Sequence, residues 1–168
     1  MNDVLIGLGG NIGDVEITFL RAKSLLGSDL FDTRMSRIYR SAARYDKPGA
    51  VVPAEPAPDY FNAVLRGCTY WSPQELLVRL LEVEKALGRV RPAPECSPRA
   101  IDLDLLLYGD RVISPDSASD LTVPHPRMHL RDFVLVPACE VAPDWVHPVL
   151  GATLSALLPA ETSLSLVP

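Results

Sequence analysis

Asp102 and Asp104 stand one residue apart in the stretch Arg99-Ala100-Ile101-Asp102-Leu103-Asp104-Leu105-Leu106-Leu107-Tyr108-Gly109-Asp110. Ile101, Leu103, Leu105 and Leu107 alternate with Asp102, Asp104 and Leu106, so on a strand both carboxylates project from one face and the branched residues from the other. Two residues along a strand span roughly 6 to 7 Å. Two carboxylates at that separation repel by about 2 to 3 kcal/mol at an effective dielectric near 20, so something positive belongs beside them. A divalent cation is one solution, because hard oxygen ligands suit magnesium, calcium or manganese. The bland alternative is a solvated strand face with two ordinary acids. Leu106 on the same face speaks against it.

Arg89, Arg91, Arg99, Arg127 and Arg131 flank this strand in a chain that is acidic overall. Guanidinium forks bind phosphate oxygens bidentately and magnesium bridges them, so acids together with arginines are what a polyphosphate site requires. Any single arginine is as well explained by a surface ion pair; the cluster is harder to explain that way. His125 and His129 have the four-residue spacing of helical metal ligands, but Pro124 and Pro126 bracket the first of them. His125 therefore reads as a hydrogen-bond donor or a loop residue, and His147 carries no signal.

The elements that must position these groups follow from periodicity and caps. Val4 to Leu8 reads as a short buried strand ended by Gly9-Gly10-Asn11-Ile12-Gly13-Asp14. That turn is not a nucleotide fingerprint: after Gly7 and Gly9 the third glycine belongs at position 12, which is Ile12, and no Gly-Lys-Ser/Thr follows. Its glycines read as turn and close-packing residues, with substrate contact as the lesser alternative. Asp14 is a natural N-cap for a helix reaching about Gly27, with Val15, Phe19, Ala22 and Leu26 on its apolar face. Phe31 to Arg40 is strand-like, blurred at Ser36-Arg37. Ser41 to Asp59, with Pro48, Pro53, Pro56 and Pro58, is an exposed loop. Tyr60 to Leu65 alternates again, with Tyr60, Asn62 and Val64 on one face. Ser72-Pro73-Gln74-Glu75 is a capping box opening a helix whose stripe is Leu76, Leu77, Leu80, Val83 and Leu87, ended by Gly88.

A second Pro-rich loop, Arg89 to Pro98, leads into the acidic strand. Beyond it, Arg111 to Ile113 is a short strand, Leu121 to Pro126 an extended segment, Arg131 to Val141 a short helix, and Thr153 to Leu158 a further helical turn or two. Strand, helix, strand, strand, helix, strand is the order of an α+β fold, a ferredoxin-like split βαβ sandwich with one antiparallel-rich sheet covered on one face by two helices.

The 168 residues suffice for a single domain, 1–168, with its own core. Composition, 48% hydrophobic and 22% charged, is globular. The apolar runs are too short for a membrane span and no export signal leads the chain, so a cytoplasmic protein is expected. Cys68, Cys96 and Cys139, odd in number and widely spaced, read as reduced thiols. A formal net charge of −5 disfavours nonspecific nucleic-acid binding.

Four segments, Gly7 to Asp14, Asp59 to Ala63, Pro98 to Gly109 and Val123 to Met128, together resemble in order and spacing the 6-hydroxymethyl-7,8-dihydropterin pyrophosphokinases of folate synthesis. The resemblance implies transfer of the β,γ-diphosphate of ATP to the pterin hydroxymethyl oxygen, with release of AMP, by a monomer without nucleic-acid or membrane partners. It implies that Asp102 and Asp104 hold two magnesium ions across the triphosphate and that Arg89 and Arg99 steady charge on the transferred group. Arg91, His125 and Arg131 would contact ATP phosphates, with Leu105 and Thr122 near the adenine. Tyr60, Asn62 and Phe133 would receive the pterin, and Ser41 and Ala42 lie where the pterin-contacting loop begins. Such chemistry needs positioning and electrostatics more than a covalent nucleophile, and the two Pro-rich loops would serve as lids. The chain departs from the pattern at Cys96-Ser97, where well-studied members carry Trp-Gly, and at Pro92 and Glu95, so a differently built closure is expected. A noncatalytic pterin- or nucleotide-binding module and an RNA-binding sheet of the same topology are the rival readings. The second would need exposed aromatics at the sheet centre and a basic face.

Overall fold

The computed structural model describes residues 1–42, 58–90, 98–115 and 119–167. Its core element is an antiparallel sheet built on β1 (Asn2–Gly10), flanked by β5 (Asp102–Tyr108) and β4 (Tyr60–Thr69). Beyond β4 lie β2 (Phe31–Met35) and β3 (Tyr39–Ser41), which pair with successive parts of it, and a C-terminal strand pairs with β3. The order is the one expected of a ferredoxin-like βαββαβ chain, with the last strand of the motif beside the first.

Helix α1 (Val15–Leu25) starts where Asp14 accepts the Ile17 N–H at 3.0 Å, and it buries Val15, Phe19 and Ala22. Helix α2 (Pro73–Ala86) opens on the reciprocal Ser72/Glu75 capping box. Both helices pack on one face of the sheet through Val4, Ile6, Leu8, Ala63, Leu65, Leu103 and Leu105.

Helix α3 (Asp132–Val141) adds what the order of elements did not predict, a cover on the second face. It packs through Leu135, Ala138 and Val141 against Leu5, Val64 and Leu106. A three-residue 3-10 turn, Met128–Leu130, precedes it. After it come a hairpin of β6 (Val146–His147) and β7 (Ala152–Thr153), a 3-10 turn at Ser155–Leu157, and β8 (Ser165–Leu166). Among the described residues no helix is long and apolar enough to cross a membrane.

Three strand limits differ from expectation, each because a hydrogen-bonded partner overrides local preference. Strand β1 continues through Gly9 and Gly10, which face Asn62 and Phe61 on β4. Strand β4 runs on to Thr69 against the first half of β1. The expected single strand from Phe31 to Arg40 is broken at Ser36, whose hydroxyl accepts the Val64 N–H at 2.9 Å and donates to the Arg37 carbonyl at 2.8 Å. Cys68 and Cys139 are free thiols; Cys96 lies outside the described residues.

Candidate active site

The α3 cover extends over only half of the second sheet face, and the uncovered half is where the polar residues converge. Along β1 the residues on that face are Leu5, Gly7 and Gly9. Leu5 lies in the α3 cluster, Gly7 is opposite Asp104, and Gly9 is opposite Asp102 on one side and Asn62 on the other. A side chain built on Gly9 would meet Asn62 Oδ1 at 3.8 Å and the Asp102 Cβ at 4.0 Å, so all three share this face. Gly9 leaves a trough floored by bare backbone, with carboxylates on one bank and an amide on the other, while at Gly7 the Leu106 side chain lies over the strand, 3.4 Å from where a Cβ would stand. Gly9 is more than a turn residue.

Arginines crowd the acidic bank. Arg99 donates from Nη1 to Asp102 Oδ2 at 2.6 Å, and Arg89 Nη2 lies 3.4 Å from Asp102 Oδ1. Asp102 is thereby neutralised by the guanidinium pair. Asp104 is exposed at the surface, with protein atoms crowding its carboxylate. Desolvation there, ahead of the charges of Asp102 and Glu84, pushes its pKa up to about 6, with Arg131 and Arg99 pulling the other way. Glu84 was not anticipated. It is buried on the inner face of α2 and accepts the Leu103 N–H at 2.7 Å, satisfying an outward-facing donor of the edge strand β5.

The segment ahead of α3 adds a further rim on the β5 side. The His125 N–H donates to the Leu106 carbonyl at 2.9 Å, which ties this segment to β5. Burial and the positive charges of Arg131 and Arg127 lower the His125 pKa to about 4, so the ring is neutral at physiological pH. Its Nδ1 accepts the Arg127 N–H at 3.3 Å, which assigns the ring proton to Nε2 as a donor. Arg131 lies over the Phe133 ring, 5.3 Å from its centroid.

On the amide bank, Asn62 is buried and donates from Nδ2 to Ser41 Oγ at 3.0 Å. Ala42 follows directly and is exposed. Tyr60 stands between the banks, its ring 5.6 Å from the Arg99 guanidinium. The structure thus gathers Ser41, Tyr60, Asn62, Arg89, Arg99, Asp102 and Asp104, and sets His125 and Arg131 within electrostatic reach of the carboxylates.

Leu105 lies on the face away from the aspartates, as the alternation predicts. Its side chain is packed in the core on the α1/α2 face. Leu103 turns its N–H outward to Glu84, so by the strand's two-residue period Leu105 presents its main chain at the same outer edge, and any nucleotide contact there runs through backbone. Thr122 sits half-buried between core residues Leu121 and Val123. Arg91, Pro92, Glu95, Cys96-Ser97 and most of the first Pro-rich loop fall outside the described residues.

The model of the 7,8-dihydro-6-hydroxymethylpterin-pyrophosphokinase family matches residues 5–143. The chain belongs to this family. It is 41% identical over 156 residues to the 2-amino-4-hydroxy-6-hydroxymethyldihydropteridine pyrophosphokinase of Synechocystis, spanning 92% of this chain and 73% of that protein. It is 36% identical over 163 residues to that of Aquifex aeolicus, covering 96% of this chain and 94% of that one. The crystal structure of wild-type Plasmodium falciparum HPPK-DHPS superposes on 93% of this chain with a TM-score of 0.68 at 15% identity, a likeness of fold. This chain spans 44% of that longer protein.

Two residues missing from the expected set hold the backbone around the carboxylates. Asn11 accepts the Arg99 N–H at 2.7 Å through Oδ1 and donates its own N–H to the Arg99 carbonyl at 2.9 Å, fixing the arginine that pairs with Asp102. Glu84 does the same for β5. The signal for Glu84 was readable, since a carboxylate four residues after Leu80 falls on the apolar stripe of α2 and demands a partner. A divalent cation fits the acidic bank: two carboxylates share this face, and after desolvation the charges of Asp102 and Glu84 are what hold the Asp104 pKa up. Among the described residues no three His, Cys, Asp or Glu side chains converge on one point. A cation there would take two carboxylates and complete its shell with nucleotide oxygens and water, as magnesium does.

Proposed function

We propose that the trough receives ATP and 6-hydroxymethyl-7,8-dihydropterin, and that the chain transfers the β,γ-diphosphate of ATP to the pterin hydroxymethyl oxygen, releasing AMP. The observation that carries this reading is the convergence on one glycine-floored half of the sheet of paired carboxylates, two arginines and a buried amide. Family membership supports the reaction itself. Two magnesium ions, held by Asp102 and Asp104, would neutralise the triphosphate and align it for displacement.

The chain's own groups do the remaining work. Arg89 and Arg99, positioned at Asp102, are placed to meet charge on the transferred group through planar guanidinium donors. When phosphate oxygens arrive, both arginines have a second anion to bind, which frees Asp102 for a cation. Neutral His125 offers its Nε2–H, and Arg91 and Arg131 their forks, to the non-transferred oxygens. Asn62, oriented by Ser41, reads the hydrogen-bonding edge of the pterin, while Tyr60 and Phe133 supply ring faces. Leu105 and Thr122 flank the adenine. A net charge of −5 favours small anionic substrates at a local cationic site over a nucleic-acid partner.

The test is AMP formation from ATP and the reduced pterin, with and without magnesium, in the wild type and in Asp104→Ala. Magnesium-dependent AMP in the wild type, reduced by several orders of magnitude in the variant, is expected. Near-normal turnover by Asp104→Ala would overturn the metal assignment. ATP binding without AMP would favour a noncatalytic module.

A further inference from the structure

The C-terminal segment touches both walls of the proposed pterin site. Thr162 donates from Oγ1 to Asp132 Oδ2 at 3.1 Å, and the other oxygen of this buried carboxylate accepts the Phe133 N–H at 2.9 Å. Three residues on, β8 pairs with β3, Leu166 opposite Tyr39 and Ser165 opposite Arg40, and the Val167 N–H reaches the Ile38 carbonyl at 3.0 Å. Arg40 Nε adds a contact to Ser165 Oγ at 3.3 Å. Val167 then lines a cavity together with Ile38, Phe61 and the start of α1.

Strand β3 is three residues long and carries Ser41, the hydroxyl that orients Asn62. A strand so short has little hold on one neighbour alone, and β8 supplies a second ladder on its outer edge. Asp132 is the first residue of α3 and sets the main chain that presents Phe133. The far half of α3 is tied independently to the same wall, through Glu140 to Arg37 at 2.8 Å and to the Tyr39 hydroxyl at 3.1 Å.

We infer that residues 162–167 are a positioning strap that sets the distance between the Ser41/Asn62 wall and the Phe133 wall, with Thr162 as its positioning residue. The strap fixes the gap into which the flat pterin ring slides. Among the described residues its hydrogen bonds and strand pairing involve none of Asp102, Asp104, Arg89 and Arg99; both arginines pair with Asp102 on β5, and Asn11 at the end of β1 holds Arg99. Losing it therefore weakens pterin binding selectively.

The inference rests on the pyrophosphokinase reading, and the experiment separates the two. Steady-state AMP formation is measured for the wild type, Thr162→Val, Thr162→Ser and a chain ending after Pro159. Thr162→Val is expected to raise the pterin KM by about ten-fold, the loss of one hydrogen bond to a carboxylate. Its kcat and its KM for ATP are expected to stay within about two-fold of wild type. Thr162→Ser restores the wild-type pterin KM, and the shortened chain repeats or exceeds the valine effect. An unchanged pterin KM in Thr162→Val, a parallel shift of both KM values and kcat, or failure of serine to rescue overturns the strap while leaving the enzyme reading intact. Absence of AMP from the wild type overturns both. If the shortened chain does not fold, the valine and serine pair still decides.

Discussion

Asn11 grips the main chain of Arg99 at both ends of one residue, accepting its N–H at 2.7 Å and donating to its carbonyl at 2.9 Å. The contact joins the end of β1 to the segment entering β5, so the guanidinium that reaches Asp102 is aimed from a fixed backbone. Asn11→Ala removes the acceptor and leaves a buried N–H without it. We expect a loss of about 1 to 3 kcal/mol in stability. A fall in kcat on the order of 10- to 100-fold should accompany it, with the KM for ATP changing far less, as for a group used mainly in the transition state. Thermal melts and steady-state kinetics check this; equal changes in kcat and both KM values would show that Arg99 is not what Asn11 positions.

Neighbouring glycines on β1 should behave oppositely. A Cβ at Gly10 would stand 2.6 Å from the Ala100 carbonyl oxygen, which is backbone and cannot move aside cheaply, whereas at Gly9 the nearest atom is 3.8 Å away. Gly10→Ala is expected to cost about 1 to 3 kcal/mol of stability through overpacking. Gly9→Val should leave the melting temperature unchanged or raise it, because valine suits a strand better than glycine. Its branched side chain fills the floor between Asn62 and Asp102, and pterin turnover should collapse. A stable Gly9→Val enzyme with normal kinetics would show that substrate does not lie in the trough.

Local chemistry made much of the architecture legible. Asp14 and Ser72 mark their helix starts, and the alternation around Asp102 and Asp104 places both carboxylates on the site face with Leu103 and Leu105 behind them. What stayed hidden depends on partners distant in sequence. Gly9 and Gly10 look like the start of a turn until β4 and β5 pair on either side of Gly9. The apolar pattern from Phe133 to Val141 does not say which sheet face it will cover, nor that the cover stops short of Gly9. Leu105 was placed by motif, yet the two-residue period that aligns the two aspartates turns its side chain away from them. Asn11 has no periodic signature at all.

Asp104 makes the site sensitive to acid and to magnesium. Its carboxyl holds a proton up to about pH 6 in the folded chain, against roughly 4 when unfolded. A carboxyl whose pKa rises on folding contributes stability that is full below the unfolded value and lost as pH climbs through the folded one. Without magnesium, Asp104→Asn should therefore melt above the wild type at about pH 8 and together with it near about pH 4. Magnesium with an ATP analogue should raise the wild-type melting temperature at about pH 8, raise it less at about pH 5 where protons compete, and leave the variant nearly unmoved. A magnesium response of equal size at both pH values would remove Asp104 from the cation site.

Glu84 offers a way to separate charge from architecture at the same carboxylate. Its Oε1 holds the Leu103 N–H on the edge of β5, and its charge is one of the causes that raise the Asp104 pKa. Glu84→Gln keeps an acceptor of the same reach and deletes the charge, so β5 stays in place while Asp104 ionises at lower pH. The acid limb of the pH profile for AMP formation should then move to lower pH with little change in the plateau. Glu84→Leu removes the acceptor as well, leaves the Leu103 N–H unsatisfied and should cost about 1 to 3 kcal/mol of stability. The pair of variants tells the two roles apart: an acid limb that stays put in Glu84→Gln would mean that Glu84 acts on β5 alone, and that desolvation and Asp102 account for the tuning of Asp104.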